Sequence, residues 1–313
     1  MDREYTEIEK NIFTEFGINQ IPKSITIDSK DNIVTISLNG KKVVEDNMQV
    51  TGNAFEGWAI VARVCSKKNV KLSVDGYISF PTDGFIGHGH YSRFIYRIMK
   101  FKEQYSWFEV DDYLQKEIEN FQNFIKSNIL VNNTPTKEAE GTDRIDENSV
   151  EKKLEEDGIL RTVLGDNPNI GIGKVHRQLP VGLFCKEKSK HTSVFTYGHS
   201  AIDLWNKNGD TINVVELKYN NNMIGIITEI FFYSNYMLDL VGELGVFSLA
   251  EGEDCRGYSE LKKGITSVNG IMLANKYHPC VNNGTLKVLN DNSNKSLKYY
   301  LAEYKADIIV NIN

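Results

Sequence analysis

Apolar and polar positions change their spacing often enough along the chain to mark most of its elements. Residues 3–16 carry apolar side chains at helical intervals and predict a short amphipathic helix. Lys23–Asn39 alternates instead, SITI and then IVTISL, with Asp31-Asn32 between the runs, which predicts two strands joined by a tight turn. Asn53–Val64 (NAFEGWAIVARV) returns to helical spacing, and Val70–Val74 reads as a strand. Beyond a glycine-rich loop over Gly84–His90, Tyr91–Tyr105 predicts a basic, aromatic helix and Val110–Ile125 a longer one. The pattern then stops. Residues 131–148 (VNNTPTKEAEGTDRIDEN) hold almost nothing apolar and include Pro135 and Gly141, so they read as a linker.

Periodicity resumes in a helix capped by Asn148 or Ser149 that carries Val150, Leu154, Leu160, Val163 and Leu164. Gly165–Lys174 is turn-rich, and Val175–Phe184 is the next strand. Tyr197–Gly198 leads into the stretch SAIDLWNKNGDTINVVELK, where Asn208-Gly209 is a two-residue hairpin signal. With that turn, Lys207 pairs with Asp210, and Asp203 lies opposite Val214. Alternation then gathers Asp203, Val214, Glu216 and Lys218 on one face and Ile202, Leu204, Val215 and Leu217 on the other. Ile224–Leu240 predicts a helix with a broad apolar face, and Gly270–Ala274 a short buried strand. Leu297–Ala306 reads as a terminal helix and Asp307–Asn311 as a final strand. These elements divide into an α+β domain over residues 1–131, a linker at 132–148 and an α/β domain over 149–313.

The hairpin also carries the chemistry. Diagonal cross-strand neighbours lie about 7–8 Å apart, so the carboxylates of Asp203 and Glu216 can converge on one small ion, with Lys218 beside them. Few oxygen ligands with retained water suit Mg²⁺ or Mn²⁺. The plainer alternative is a cross-strand ion pair worth about 0.2–1 kcal/mol. On the preceding helix Glu151 and Glu155 lie one turn apart on one face. One of them completes or orients the metal site, or Glu151 merely favours the helix N-terminus; spacing does not choose.

The ordered set of residues resembles the PD-(D/E)xK nuclease superfamily. Its core runs from a helix with Glu through a strand, an Asp on a second strand and E-x-K on a third, to a further helix. Here the matching residues are Glu151-x-x-Leu154, Arg177-Gln178-Leu179-Pro180, Asp203 and Glu216-Leu217-Lys218, with Glu229-x-x-x-Tyr233 where many members have Q-x-x-x-Y. The likeness covers about residues 149–250. It implies a restriction-endonuclease-like core, a mixed sheet flanked by helices, and metal-dependent hydrolysis of phosphodiester bonds. DNA is the implied substrate before RNA, with a 5′-phosphate on the product. It further implies Asp203, Glu216 and the Leu217 carbonyl as metal ligands, Lys218 as the catalytic lysine, Glu151 before Glu155 as the helix carboxylate, and Gln178 near the phosphate. Glu229 departs from the family's Gln and brings negative charge toward a site that must hold a phosphate.

Composition adjusts this picture little. A net charge of −6 speaks against a nucleic-acid coat, though a nuclease needs only a local basic stripe. Lys174, His176, Arg177, Lys186, Lys188, Lys190 and His191 form one such stripe, from which Arg177, Gln178, Lys186, Lys188 and Lys190 are the expected nucleic-acid contacts. Arg93, Arg97, Lys100 and Lys102 form a second; composition alone favours a solvated face for either, and a nuclease reading of the hairpin turns the first into a phosphate-binding groove. His88 and His90 have metal-ligand chemistry but no third ligand nearby, and turn geometry explains their glycines. Four widely spread cysteines without CxxC spacing point to reduced thiols and a cytoplasmic protein. The N-terminus is acidic and polar, unlike a signal peptide. The N-terminal domain is left to target recognition, partner docking or homodimer formation. The competing reading is a non-catalytic nucleic-acid or partner-binding module that has kept the nuclease fold, and a third is a metal-free ligand-binding α/β protein.

Overall fold

The computed structural model describes residues 3–76, 80–136, 147–156, 158–164, 170–196, 200–220 and 222–305. Its architecture is mixed α/β, with mixed sheets flanked by helices. The chain divides into two compact units. One comprises residues 1–128, 223–229 and 278–294, and the other residues 129–222, 230–277 and 295–313. Among the described residues no helix is long and apolar enough to cross a membrane.

In the first unit α1 (Glu7–Phe16) starts at Thr6, whose hydroxyl and backbone exchange hydrogen bonds with Glu9 in a capping box, and stops at Gly17 in the left-handed region. Strands β1 (Ile25–Lys30) and β2 (Ile33–Asn39) form the expected antiparallel pair around Asp31-Asn32. Helices α2 (Gly40–Glu45) and α3 (Phe55–Ser66) follow, then β3 (Asn69–Asp75), α4 (Gly89–Gln104), β4 (Phe108–Val110) and α5 (Asp112–Ser127). The sheet order is β1-β2-β3-β4, with β3 parallel to both its neighbours.

Arg93 and Arg97, expected on a basic stripe, are buried instead. Arg97 donates from Nε and Nη2 to the two oxygens of Glu56 at 2.7 and 2.6 Å, and from Nη2 to the Asn53 carbonyl at 2.9 Å. Its guanidinium also lies 5.0 Å from the centre of the Phe55 ring. Arg93 holds the Asn47 side chain. A helix buried on most sides can hold a cation only where a fork-shaped partner meets it, and Glu56 on α3 supplies that partner. His88 pairs with Asp83 at 2.7 Å.

The second unit begins with β5 (Leu130–Asn132), which overlaps the start of the stretch expected as linker; residues 137–146 of that stretch lie outside the described residues. The next helix is two pieces rather than one. Helix α6 (Glu147–Glu155) already includes the residues expected to cap it, and α7 (Ile159–Leu164) restarts after Gly158, whose φ of 79° breaks the helical path. Strand β6 (Val175–Val181) and strand β7 (Leu183–Cys185) divide the run expected as one strand, and β7 pairs with β5 in a separate two-stranded sheet. The hairpin is β8 (Ser200–Asn208) and β9 (Thr211–Lys218), followed by α8 (Gly225–Val241), β10 (Ser267–Ala274), α9 (Asn283–Asn290) and β11 (Leu297–Glu303). Helix α9 belongs to the first unit, and the boundary between the units falls within α8. Leu297–Glu303, expected as helix, is a strand because it pairs parallel with β10 along its whole length. The strand expected at Asp307–Asn311 lies outside the described residues.

The five-stranded sheet runs β11-β10-β9-β8-β6, antiparallel across β6, β8 and β9 and parallel from β9 to β11. Leu204, Val215 and Leu217 from its hairpin pack with Val150, Leu154 and Leu160 from α6 and α7. The hairpin turn is Gly209-Asp210, because Asn208 pairs with Thr211. Only Gly209 of the two has positive φ, at 59°. Asn206 pairs with Asn213 and Asn213 with Asn269, and their buried amides bond in series: Asn213 Nδ2 donates to Asn206 Oδ1 at 2.8 Å, and Asn269 Nδ2 to Asn213 Oδ1 at 2.9 Å. A turn at Asn208-Gly209 would set Asn206 opposite Thr211 and pull these amides apart.

Two substitutions test these contacts. Arg97→Ala leaves the Glu56 carboxylate buried and should cost about 3–5 kcal/mol of unfolding free energy in a urea titration. Asn213→Ala removes the hydrogen bonds to Asn206, Asn269 and the Gly171 carbonyl together and should cost about 1–3 kcal/mol for each buried group left unsatisfied, by the same measurement.

Candidate functional site

The register changes who faces whom, and keeps each side chain on its expected face because the partner of Asp203 moves by two residues. Continuing from the Leu204–Val215 and Trp205–Val214 pairs, Asp203 falls opposite Glu216, at the level where the β8–β9 ladder ends. The Asp203 carboxylate enters that opening, and its Oδ2 accepts the Leu217 N–H at 2.8 Å. On the other side of β8 the ladder to β6 is interrupted at the same level. Arg177–Leu204 and Leu179–Ile202 are paired, while Gln178 between them has a left-handed φ of 54°.

Helix α6 brings two carboxylates to this break. Ligand oxygens of Glu147, Glu151 and Asp203 all lie within 4.8 Å of one another. Glu151 Oε2 accepts from Gln178 Nε2 at 2.6 Å, and Glu147 Oε2 accepts from the Tyr219 N–H at 3.2 Å. Glu216 and Lys218 are both buried and form an ion pair at 2.6 Å. The Lys218 carbonyl accepts from the Tyr304 hydroxyl at 3.2 Å. Glu155 is not in the acidic cluster, because it pairs with Arg177 at 3.1 Å.

Electrostatics follow from this crowding. Burial pushes the Glu151 carboxyl up to about 7, aided by the Glu147 charge, against the Gln178 hydrogen bond and the charges of Arg177 and Lys218. Burial also raises Asp203 well above the usual carboxylate range, and the Glu151 charge adds to it, while Lys218 and the Leu217 N–H oppose. The buried carboxylates of Glu151 and Asp203, with the half-buried Glu147 beside them, are thus under-compensated by the neighbouring cations. Oxygen donors at this spacing suit a hard divalent cation, or else they hold protons.

The expected nucleic-acid contacts separate. Arg177 is engaged by Glu155, and Gln178 by Glu151. His176 is buried, pairs with Glu260 at 2.8 Å and packs on Trp205. Lys174, Lys186, Lys188, Lys190 and His191 are exposed, with Lys188 reaching the Thr134 carbonyl at 3.0 Å. Glu229 and Tyr233 are buried on α8. Sequence reasoning missed Glu147, although it precedes Glu151 by the same four residues that separate Glu151 from Glu155; the polar run around it assigned it to the linker. No protein-family model, curated protein or solved structure matches the chain.

The raised carboxyls predict an unusual pH dependence. A folded-state value near 7 against an ordinary unfolded value means the folded chain binds a proton that the unfolded chain has lost. This contribution to stability is full below the unfolded value and disappears as pH rises through about 7. In EDTA the melting temperature should therefore fall between pH 5.5 and 7.5, and Glu151→Gln should flatten that fall. A melting temperature that rises over the same range in EDTA would contradict the arrangement.

Proposed function

We propose that the chain is a metal-dependent nuclease that hydrolyses phosphodiester bonds, in DNA first of all, on a restriction-endonuclease-like core in its second unit. The observation that carries this reading is the meeting of Asp203 with Glu147 and Glu151 at a broken ladder, one strand position from the buried Glu216–Lys218 pair. The order α6/α7, β6, β8, β9, α8, with an antiparallel hairpin joined to parallel β10, supports it as the frame on which the resemblance at Asp203 and Glu216-Leu217-Lys218 rests.

Asp203, with Glu147 and Glu151, offers oxygens for Mg²⁺ or Mn²⁺, and Glu216 and the Leu217 carbonyl are the ligands that the resemblance adds. When bound, such an ion polarises a phosphoryl oxygen, lowers the pKa of its water and offsets developing charge. Lys218 holds a positive charge beside the carboxylates, where it orients water and counters charge on the phosphate. Gln178 holds Glu151 by one oxygen and leaves the other free to turn toward the ion. The exposed Lys186, Lys188 and Lys190 supply contacts to the phosphate backbone.

A second reading draws on one observation: Arg177 and Lys218 are both engaged by carboxylates, so fewer cations at the site face a polyanion. On that reading the unit binds nucleic acid or a protein without cutting.

Incubation of the purified chain with single- and double-stranded DNA and RNA, in Mg²⁺, Mn²⁺ or EDTA, separates the two. A nuclease should cut only with metal. Asp203→Ala and Glu216→Ala should lose both cutting and Mn²⁺ binding. Lys218→Ala should lose cutting by at least about a hundredfold, the scale of one positioned charge in the transition state, and keep Mn²⁺. No cleavage of any substrate with intact Mn²⁺ binding would favour the binding module. Cleavage that survives EDTA would place the activity elsewhere.

A further inference from the structure

Gln178 is a left-handed residue in the middle of a strand, a conformation that a non-glycine side chain keeps only where its surroundings over-determine it. The surroundings here are the segment 255–260. Arg256 Nη1 donates to the Gln178 carbonyl at 2.7 Å across a sequence separation of 78 residues. The Arg256 carbonyl in turn accepts from Trp205 Nε1 at 3.2 Å. His176, two residues before Gln178, packs on Trp205 and pairs with Glu260. Gly257 meets the same histidine so closely that a Cβ there would lie 2.4 Å from its ring, and its φ is 74°. The segment is thus seated on β6 at two successive outward turns of the strand, through one residue that has to be glycine.

The left-handed backbone has one visible product. It interrupts the ladder opposite Asp203 and turns the Gln178 amide toward α6, where Nε2 meets Glu151 Oε2 at 2.6 Å. An extended Gln178 would continue the alternation of β6 and take the amide off that line. We propose that Arg256 and Gln178 form a positioning relay: Arg256 fixes the backbone of Gln178, and Gln178 fixes the carboxylate of Glu151 against Asp203. Neither residue is a metal ligand or touches a reacting atom. Groups that orient a ligating carboxylate change metal affinity by about 10–100-fold when removed. The metal-binding arm of the test rests on the function proposed above; the hydrogen-bond arm does not.

Two measurements on the full chain test the relay. The first is the side-chain amide resonance of Gln178 in protein labelled with ¹⁵N, assigned by its loss in Gln178→Gly. Glu151→Ala and Arg256→Ala should each shift it. The second is Mn²⁺ affinity by calorimetric titration, with the melting temperature in EDTA measured alongside. Gln178→Gly adopts positive φ freely, so it should keep the path of the backbone while binding Mn²⁺ about tenfold more weakly. Arg256→Ala should weaken Mn²⁺ similarly, and Arg256→Lys, which keeps a donor for the carbonyl, should recover part of the loss. Mn²⁺ binding within twofold of the parent in both Gln178→Gly and Arg256→Ala would overturn the relay. So would a Gln178 resonance indifferent to Glu151→Ala. If the parent binds no Mn²⁺ while the resonance responds to both substitutions, the relay stands and the cation site beneath it falls.

Discussion

Asn213 donates its amide to Asn206 across one strand boundary and accepts from Asn269 across the next, and a single register of the hairpin lines the three side chains up. Gly171 and Gly173 join the network, their carbonyl and N–H bonding to Asn213 and Asn206 at 2.8 and 3.1 Å. Buried amides are costly to leave unmet, so this ladder ties β8, β9 and β10 at one level. Everything further along the hairpin inherits that setting. A slip of one residue would turn Asp203, Glu216 and Lys218 to the other side of the sheet together.

Beyond the asparagines the strands part, and the carboxylate of Asp203 occupies a place where a carbonyl would ordinarily receive the Leu217 N–H. Helix α6 then adds Glu147 and Glu151 on successive turns. The apolar stripe of that helix, Val150 and Leu154, packs on Leu204, Val215 and Leu217, and in doing so commits its acidic side to the break. Packing energy from the core therefore sets carboxylates beside one another against their mutual repulsion. Protons or a cation relieve that repulsion, and the choice between them is the link from this fold to a function.

Much of this is written in local spacing. The Asp31-Asn32 turn, helices α3, α4 and α5, and the shared face of Asp203, Glu216 and Lys218 all follow from periods of 3.6 or 2 and from turn chemistry. What escapes is set by distant partners. The exact turn, Gly209-Asp210, depends on an amide ladder that includes Asn269, more than fifty residues on. Arg93 and Arg97 look like surface cations until Glu56 and Asn47 are placed against them. Glu147 sits in a run too polar to read as helix, and becomes one because the residues after it are anchored. Leu297–Glu303 holds few strong strand formers apart from its tyrosines, and pairs because β10 offers an edge.

Strand β6 ends the five-stranded sheet, and an outermost strand is where one molecule can recruit another into a growing stack. Pro180 has no N–H to offer there, and the twist at Gln178 spoils the flat run of donors and acceptors that such stacking copies. With 255–260 seated at Arg256 and Gly257 as well, the kink that serves the acidic cluster also leaves this margin a poor seed for fibres. A chain relieved of that kink would be expected to trade colloidal robustness for regularity.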